Sequence, residues 1–191
     1  MKLPQLRKKP EIKSCHNVNW EDNYSWIHQK NILEVLKDKN KLNPEVKEYL
    51  IQENNYADYH LKDTKPLQKK LFDEIKGRIK LDDESLMYRD HTYDYWTKTT
   101  VEGNYSIKLR KKIDSKIIEE IWNGDKEKEK LGVEYFGVGD LEVSHDDKLL
   151  AYSLDIKGSE YYTILIRNIA NNKLITKEIP DTSGSIIFSL D

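Results

Sequence analysis

The sequence predicts an α+β fold: an N-terminal helical segment of about eighty residues, then antiparallel β meanders. Three observations carry this. Apolar residues recur at helical spacing up to about Lys80; beyond it the chain breaks into short β-branched and aromatic runs punctuated by turns; and one of those turns recurs after 45 residues (143 to 188).

Residues 1 to 20 show no clear period and are expected to run as an extended arm. KNILEVLKD places Ile32, Leu33, Val35 and Leu36 for a short helix. The next helix opens on Asn43, which can cap free amides, and Pro44, which sits where no backbone donor is needed. Val46, Tyr49, Leu50, Tyr56, Ala57 and Leu61 extend one apolar face. A third helix is expected from about Thr64, with Pro66 just inside and Leu67, Leu71, Phe72, Ile75 and Ile79 on one side, ending near Gly77.

After Lys80, YDYWTKTT, EGN and YSIKLRKK read as a hairpin, and KIIEEIW followed by NGD as a strand and turn. A loop rich in Lys and Glu leads to VEYFGVGDLEVS. Strands KLLAYSL, YYTILIRN, KLITKEI and SIIFSLD follow, joined by the turns DIKGSE and ANN. The domains expected are therefore 1–80, arm and helices, and 81–191, β meander.

The repeated turn is apolar-Ser-x-Asp, as Val143-Ser144-His145-Asp146 and again as Phe188-Ser189-Leu190-Asp191. A period near 45 with several antiparallel strands inside it is that of one propeller blade. About two blades fit, so the meanders are expected to be the first blades of an incomplete β-propeller, with the chain stopping on the first element of a further one.

Composition narrows the function. The 191 residues carry 32 basic and 34 acidic side chains, a net charge of −2 that gives no general attraction to nucleic acid. Alternating runs such as KDKNK and GDKEKEK read as solvated faces or loops. No stretch approaches the roughly 18 apolar residues of a membrane span. MKLPQLRKKPEIK has no apolar run after its basic residues, unlike a signal peptide. A lone Cys15 excludes an internal disulfide and a cysteine-cluster metal site. A cytoplasmic setting without membrane or nucleic-acid partner is expected.

Ser144, His145 and Asp146 are the three residue types of a serine hydrolase, but adjacent side chains in an extended chain point to opposite faces and cannot form the relay. They read as a polar turn feeding a strand. Gly158-Ser159 and Ser183-Gly184-Ser185 are the nearest fragments of a nucleophile elbow, G-x-S-x-G; neither has both glycines, and both read as turns. His16, His28, His60, His91 and His145 show no zinc spacing, and Asp82-Asp83-Glu84 and Asp146-Asp147 lack the alternation of a calcium loop. Gly137-Val138-Gly139-Asp140 is a lone GxG outside a strand-to-helix context. The aromatics Tyr93, Tyr95, Trp96, Tyr161 and Tyr162 suit sheet packing. No catalytic, cofactor-binding or metal-ligating residue is assigned, and no cofactor.

From about Asp22 to Asp191 the chain resembles the N-terminal part of oligopeptidase B, in the prolyl oligopeptidase family of serine peptidases. DNYSWI is similar to an early acidic-aromatic-Trp segment of that family, and PEVKEYLIQENNYADYHLKDTKPLQKKLFDEIKGRIK to its paired N-terminal helices. YDYWTKTTVEGNYSIKLRKK resembles its opening propeller hairpin, VSHDDKLLAYSLDIKGSEYYTILIRNI its Ser-Pro-Asp turn, strand and Gly-Ser-Glu turn, and DTSGSIIFSLD the start of the next blade. His145 stands where proline is usual, and Phe188 where tryptophan is common. The resemblance implies hydrolysis of short peptides after Lys or Arg by a C-terminal α/β-hydrolase domain, against which residues 1–80 would pack. That domain's G-x-S-x-G is not in these residues. The expectation is a truncated portion, inactive alone. The alternatives are a stand-alone interaction module, or half of a split peptidase whose partner chain carries the rest of the propeller and the hydrolase domain.

Overall fold

The computed structural model describes residues 1–190. The chain divides into two compact units, one from Met1 to Arg78 and one from Ile79 onward.

In the first unit, residues 1–20 are not only the extended arm their lack of period suggests. Strands β1 (Glu11–Cys15) and β2 (Val18–Asp22) form an antiparallel hairpin, paired from Glu11↔Asp22 to Cys15↔Val18. Its two-residue loop, His16-Asn17, has positive φ at both positions (47° and 62°), the conformation that matches strand twist. The loop lacks the usual glycine and both strands are largely exposed, so no alternation marks them. The preceding residues are tied down: the Trp26 indole donates to the Arg7 carbonyl at 2.9 Å, and the Lys9 ammonium lies over the Trp26 ring and pairs with Glu45.

Helices α1 (Ile32–Lys37), α2 (Pro44–Leu61) and α3 (Lys65–Gly77) follow. The Asn43 side chain accepts from the Glu45 amide at 2.9 Å and Pro44 opens α2, as expected. The apolar faces are only partly covered. Val46 is buried, whereas Leu67, Leu71, Phe72 and Ile75 of α3 are exposed by between 47% and 63%.

The second unit holds two antiparallel sheets. The first contains β3 (Asp83–Glu84), β4 (Tyr88–Asp90), β5 (Tyr93–Thr99), β6 (Ile107–Lys112) and β7 (Ile118–Asn123), in the order β3-β5-β6-β7 with β4 also on β5. The second contains β8 (Gly137–Val143), β9 (Leu149–Asp155), β10 (Tyr162–Asn168) and β11 (Ile179–Thr182), in the order β11-β10-β9-β8. Each is a meander, as propeller blades are, and no closed ring forms among the described residues.

Three local expectations are corrected. The NGD turn and the Lys/Glu loop are helix α4 (Gly124–Leu131). Asn123 caps it by accepting from the Lys126 amide, acidic Asp125 and Glu127 fill its first turn, and Gly132 ends it in the left-handed conformation (φ 64°). The Asn-Gly-Asp signal of a hairpin is also the start of a capped helix when helix formers follow. KLITKEI forms one isolated bridge, Arg167↔Leu174, and only its last residue, Ile179, enters a strand, β11. Pro180 is tolerated there because β11 is an edge. Ser185–Leu190 forms no sheet ladder, and Asp191, the end of the second repeat, lies outside the described residues.

The core lies between the two sheets. Trp122 of β7 and Leu150, Tyr152 and Leu154 of β9 pack with Phe136, bordered by Tyr105, Leu141, Val143, Leu165 and Ile169. The Trp122 and Tyr152 ring centres are 4.9 Å apart. β9 is buried from Leu150 to Asp155, which explains its nearly continuous apolar sequence.

Candidate functional site

The Ser144-His145-Asp146 cluster forms the turn between β8 and β9. Its serine is wired to the turn. Ser144 Oγ donates to Asp146 Oδ1 at 2.7 Å and accepts from the Leu149 amide at 2.9 Å. Asp146 also accepts from the Lys148 amide and pairs with the Lys148 ammonium at 3.0 Å. The Ser144 bond first, then Lys148, hold the Asp146 carboxyl down at about 2. His145 turns the other way, its Nε2 lying 3.3 Å from the Phe188 carbonyl oxygen. A triad needs the imidazole between hydroxyl and carboxylate. Here the hydroxyl meets the carboxylate directly, so the imidazole cannot take its proton.

Asp147, the fourth residue of the turn, is the one the sequence undervalued. It is buried, adopts φ 60°, and accepts from the Thr92 hydroxyl at 2.7 Å and the Tyr95 hydroxyl at 2.9 Å. Its carbonyl accepts from Arg110 Nη1 at 2.6 Å. Arg110 is itself buried, pairs with Glu119 and lies 4.1 Å from the centre of the Tyr93 ring. The turn of the second sheet is thereby fastened to β5 and β6 of the first. Around it, Thr92, Tyr93, Arg110, Lys112, Asp146 and Lys148 line a cavity of about 340 Å³. Its buried charges are already matched, Arg110 by Glu119 and Asp147 by two hydroxyls.

The other candidates resolve into structure. Gly158 (φ 75°) and buried Ser159 form the β9–β10 turn around Asp155. Burial opposes the Asp155 charge, but the amides of Lys157, Glu160 and Gly158 outweigh it and lower its pKa. Ser183-Gly184-Ser185 lies where the chain leaves β11, with the Gly184 carbonyl accepting from Ser153 Oγ at 2.6 Å. Of the histidines, His16 is in the β1–β2 loop and His60 on α2, its ring 4.4 Å from that of Tyr56. His28 follows the short helical turn Ser25–Ile27. His91 and His145, unrelated in sequence, meet edge to face at 5.7 Å. Asp83 pairs with Lys80 and Glu84 with Lys98. Among the described residues no three His, Cys, Asp or Glu side chains are grouped to hold a metal ion, and no helix is long and apolar enough to cross a membrane.

Known proteins share this fold. Residues 4–189 match the family described as prolyl oligopeptidase, N-terminal β-propeller domain. The chain is 32% identical to dipeptidyl aminopeptidase BI of Pseudoxanthomonas mexicana over 98% of its own length and 27% of that protein. It is 26% identical to protease 2 of Moraxella lacunata, over 95% of this chain and 25% of that protein. The structure of oligopeptidase B from Leishmania major superposes on all of this chain and 28% of that one, with a TM-score of 0.83 at 24% identity. Oligopeptidase B from Trypanosoma brucei gives 0.78 at 20% identity, over 98% of this chain and 27% of that one. The chain thus spans about a quarter of the length of these relatives. With the two unclosed meanders and the helices before them, this makes the chain a member of the prolyl oligopeptidase family, covering its N-terminal β-propeller region.

Proposed function

We propose that this chain supplies the N-terminal helices and first two propeller blades of an oligopeptidase B-like serine peptidase and has no hydrolytic activity alone. Residues 1–80 would be the part that packs on a hydrolase domain, and 81–191 the partial propeller. The single observation that supports inactivity is the wiring of Ser144: its hydroxyl is spent on Asp146 and Leu149, and His145 faces Phe188. In the complete enzyme the reaction would be cleavage of short peptides after Lys or Arg, in the cytoplasm. The test is to incubate the purified chain with an arginyl peptide substrate and, separately, a fluorophosphonate probe. Neither turnover nor labelling is expected. Turnover together with labelling that Ser144→Ala abolishes would overturn the proposal.

The exposed apolar stripe of α3, Leu67, Leu71, Phe72 and Ile75, supports a second reading, half of a split peptidase completed by another chain. A sticky, non-cooperative preparation made monodisperse by a chain carrying the remaining blades and hydrolase domain would favour it. A cooperatively melting monomer would favour an independent interaction module.

A further inference from the structure

β8 is bulged at Gly139–Asp140, where its pairing with β9 shifts register between Val138 and Leu141. A bulge re-aims the groups beside it. Glycine is needed here, since a Cβ on Gly139 would stand 2.5 Å from Ser153 Oγ and 2.9 Å from the Tyr162 ring. The Asp140 amide, turned out of the ladder, donates to Ser153 Oγ at 2.8 Å. Ser153 is fully buried and donates onward to the Gly184 carbonyl at 2.6 Å. The Asp140 carboxylate serves two amides: Oδ1 accepts from Leu141 at 2.9 Å and Oδ2 from Ile186 at 3.1 Å.

His145 adds a third tie to the departing chain, at Phe188, beside those to Gly184 and Ile186. A carbonyl only accepts, so Nε2 carries the hydrogen. In an extended segment the N–H and C=O of every second residue point to the same edge. The ties at Ile186 and Phe188 fit such a segment, in which Ile187 presents its own groups to the other edge. Exposure alternates in step: Ile186 and Phe188 are partly buried and Ile187 is 94% exposed.

We propose that the Gly139–Asp140 bulge, Ser153 and His145 form a latch that fixes where the chain leaves the second sheet. It lays residues 185–190 extended along β8 and its turn, with the far edge at Ile187 oriented to start the next strand pair. Asp140 and Ser153 are positioning residues in this arrangement. Their identity explains why a GxGD sequence sits in a strand.

Residue-resolved amide exchange on the full chain tests it. The Ile186 amide is expected to exchange about tenfold more slowly than that of Ile187. Asp140→Ala brings Ile186 to the Ile187 rate and leaves Tyr152, in the centre of β9, unchanged. Equal rates for Ile186 and Ile187 in the unmodified chain overturn the latch, as does an Ile186 amide still protected in Asp140→Ala. Should Asp140→Ala unfold the sheet, Ser153→Ala decides: exchange of the Asp140 amide is expected to rise about tenfold, and an unchanged rate counts against the latch.

Discussion

The Tyr95 hydroxyl donates to the Asp147 carboxylate at 2.9 Å across 52 residues of sequence. This bond joins β5 of the first sheet to the β8–β9 turn of the second. Asp147 is held from both sides, by Tyr95 and Thr92 at its carboxylate and by Arg110 at its carbonyl. The two meanders are thus joined by directed polar bonds as well as by the apolar core, which fixes their relative register.

Tyr95→Phe removes one of these bonds and leaves a buried carboxylate short of a donor. A loss of about 1–3 kcal/mol is expected, read from urea denaturation. The effect depends on pH. Burial first, then the Asp147 bond, push the Tyr95 phenol far above its ordinary value. A raised folded pKa contributes stability that is complete below the unfolded value of about 10 and is lost as pH rises beyond it. The unmodified chain should therefore lose more stability than Tyr95→Phe between about pH 8 and about pH 11. Parallel losses in both would count against the assignment.

Asp146 titrates in the opposite sense. Its carboxyl is held at about 2, chiefly by the Ser144 hydroxyl and then by Lys148. A depressed folded pKa contributes stability present above the unfolded value of about 3.9 and lost as pH falls through about 2. Carboxyl-carbon NMR should place the Asp146 midpoint near 2 and show it rising toward the ordinary range in Ser144→Ala. An unchanged midpoint would separate Ser144 from Asp146 and reopen the question of what the hydroxyl does.

Much of this was legible in the residues. Asn43-Pro44 marks the start of α2, the period-2 and continuous apolar runs mark β5, β6, β9 and β10, and the Ser-x-Asp turn marks the step between strands. What escaped had physical reasons. The β1–β2 hairpin is exposed on both faces, so no apolar period signals it. Helix α4 hides in a run of Lys and Glu with no apolar period, signalled by its Asn123 cap, acidic first turn and Gly132 stop. At the turn, Ser144-His145-Asp146 drew notice by type, whereas the buried carboxylate that joins the sheets is the next residue, Asp147. Burial of a charge depends on partners distant in sequence, and Thr92, Tyr95 and Arg110 carry no local mark of that role.

Arg167 supplies the sharpest test of how the two sheets hold together. Its guanidinium is buried, lies 5.3 Å from the Trp122 ring centre and 5.1 Å from that of Tyr152, and donates to the Ile121 carbonyl at 2.9 Å. Its remaining partner is Glu127, also largely buried, which α4 carries into place from its first turn. Removing either charge strands the other out of water, which costs more than the pair itself contributes. Arg167→Ala is expected to destabilise the chain by about 3–5 kcal/mol, and Glu127→Gln by less because its amide can still accept. Arg167→Met combined with Glu127→Leu should be milder than the sum of its single changes, since no unpaired charge remains. A double-mutant cycle by urea denaturation measures this directly. A coupling of zero would show that α4 merely covers the sheet edge; a coupling of about 1 kcal/mol or more would show that it is part of the joint between blades.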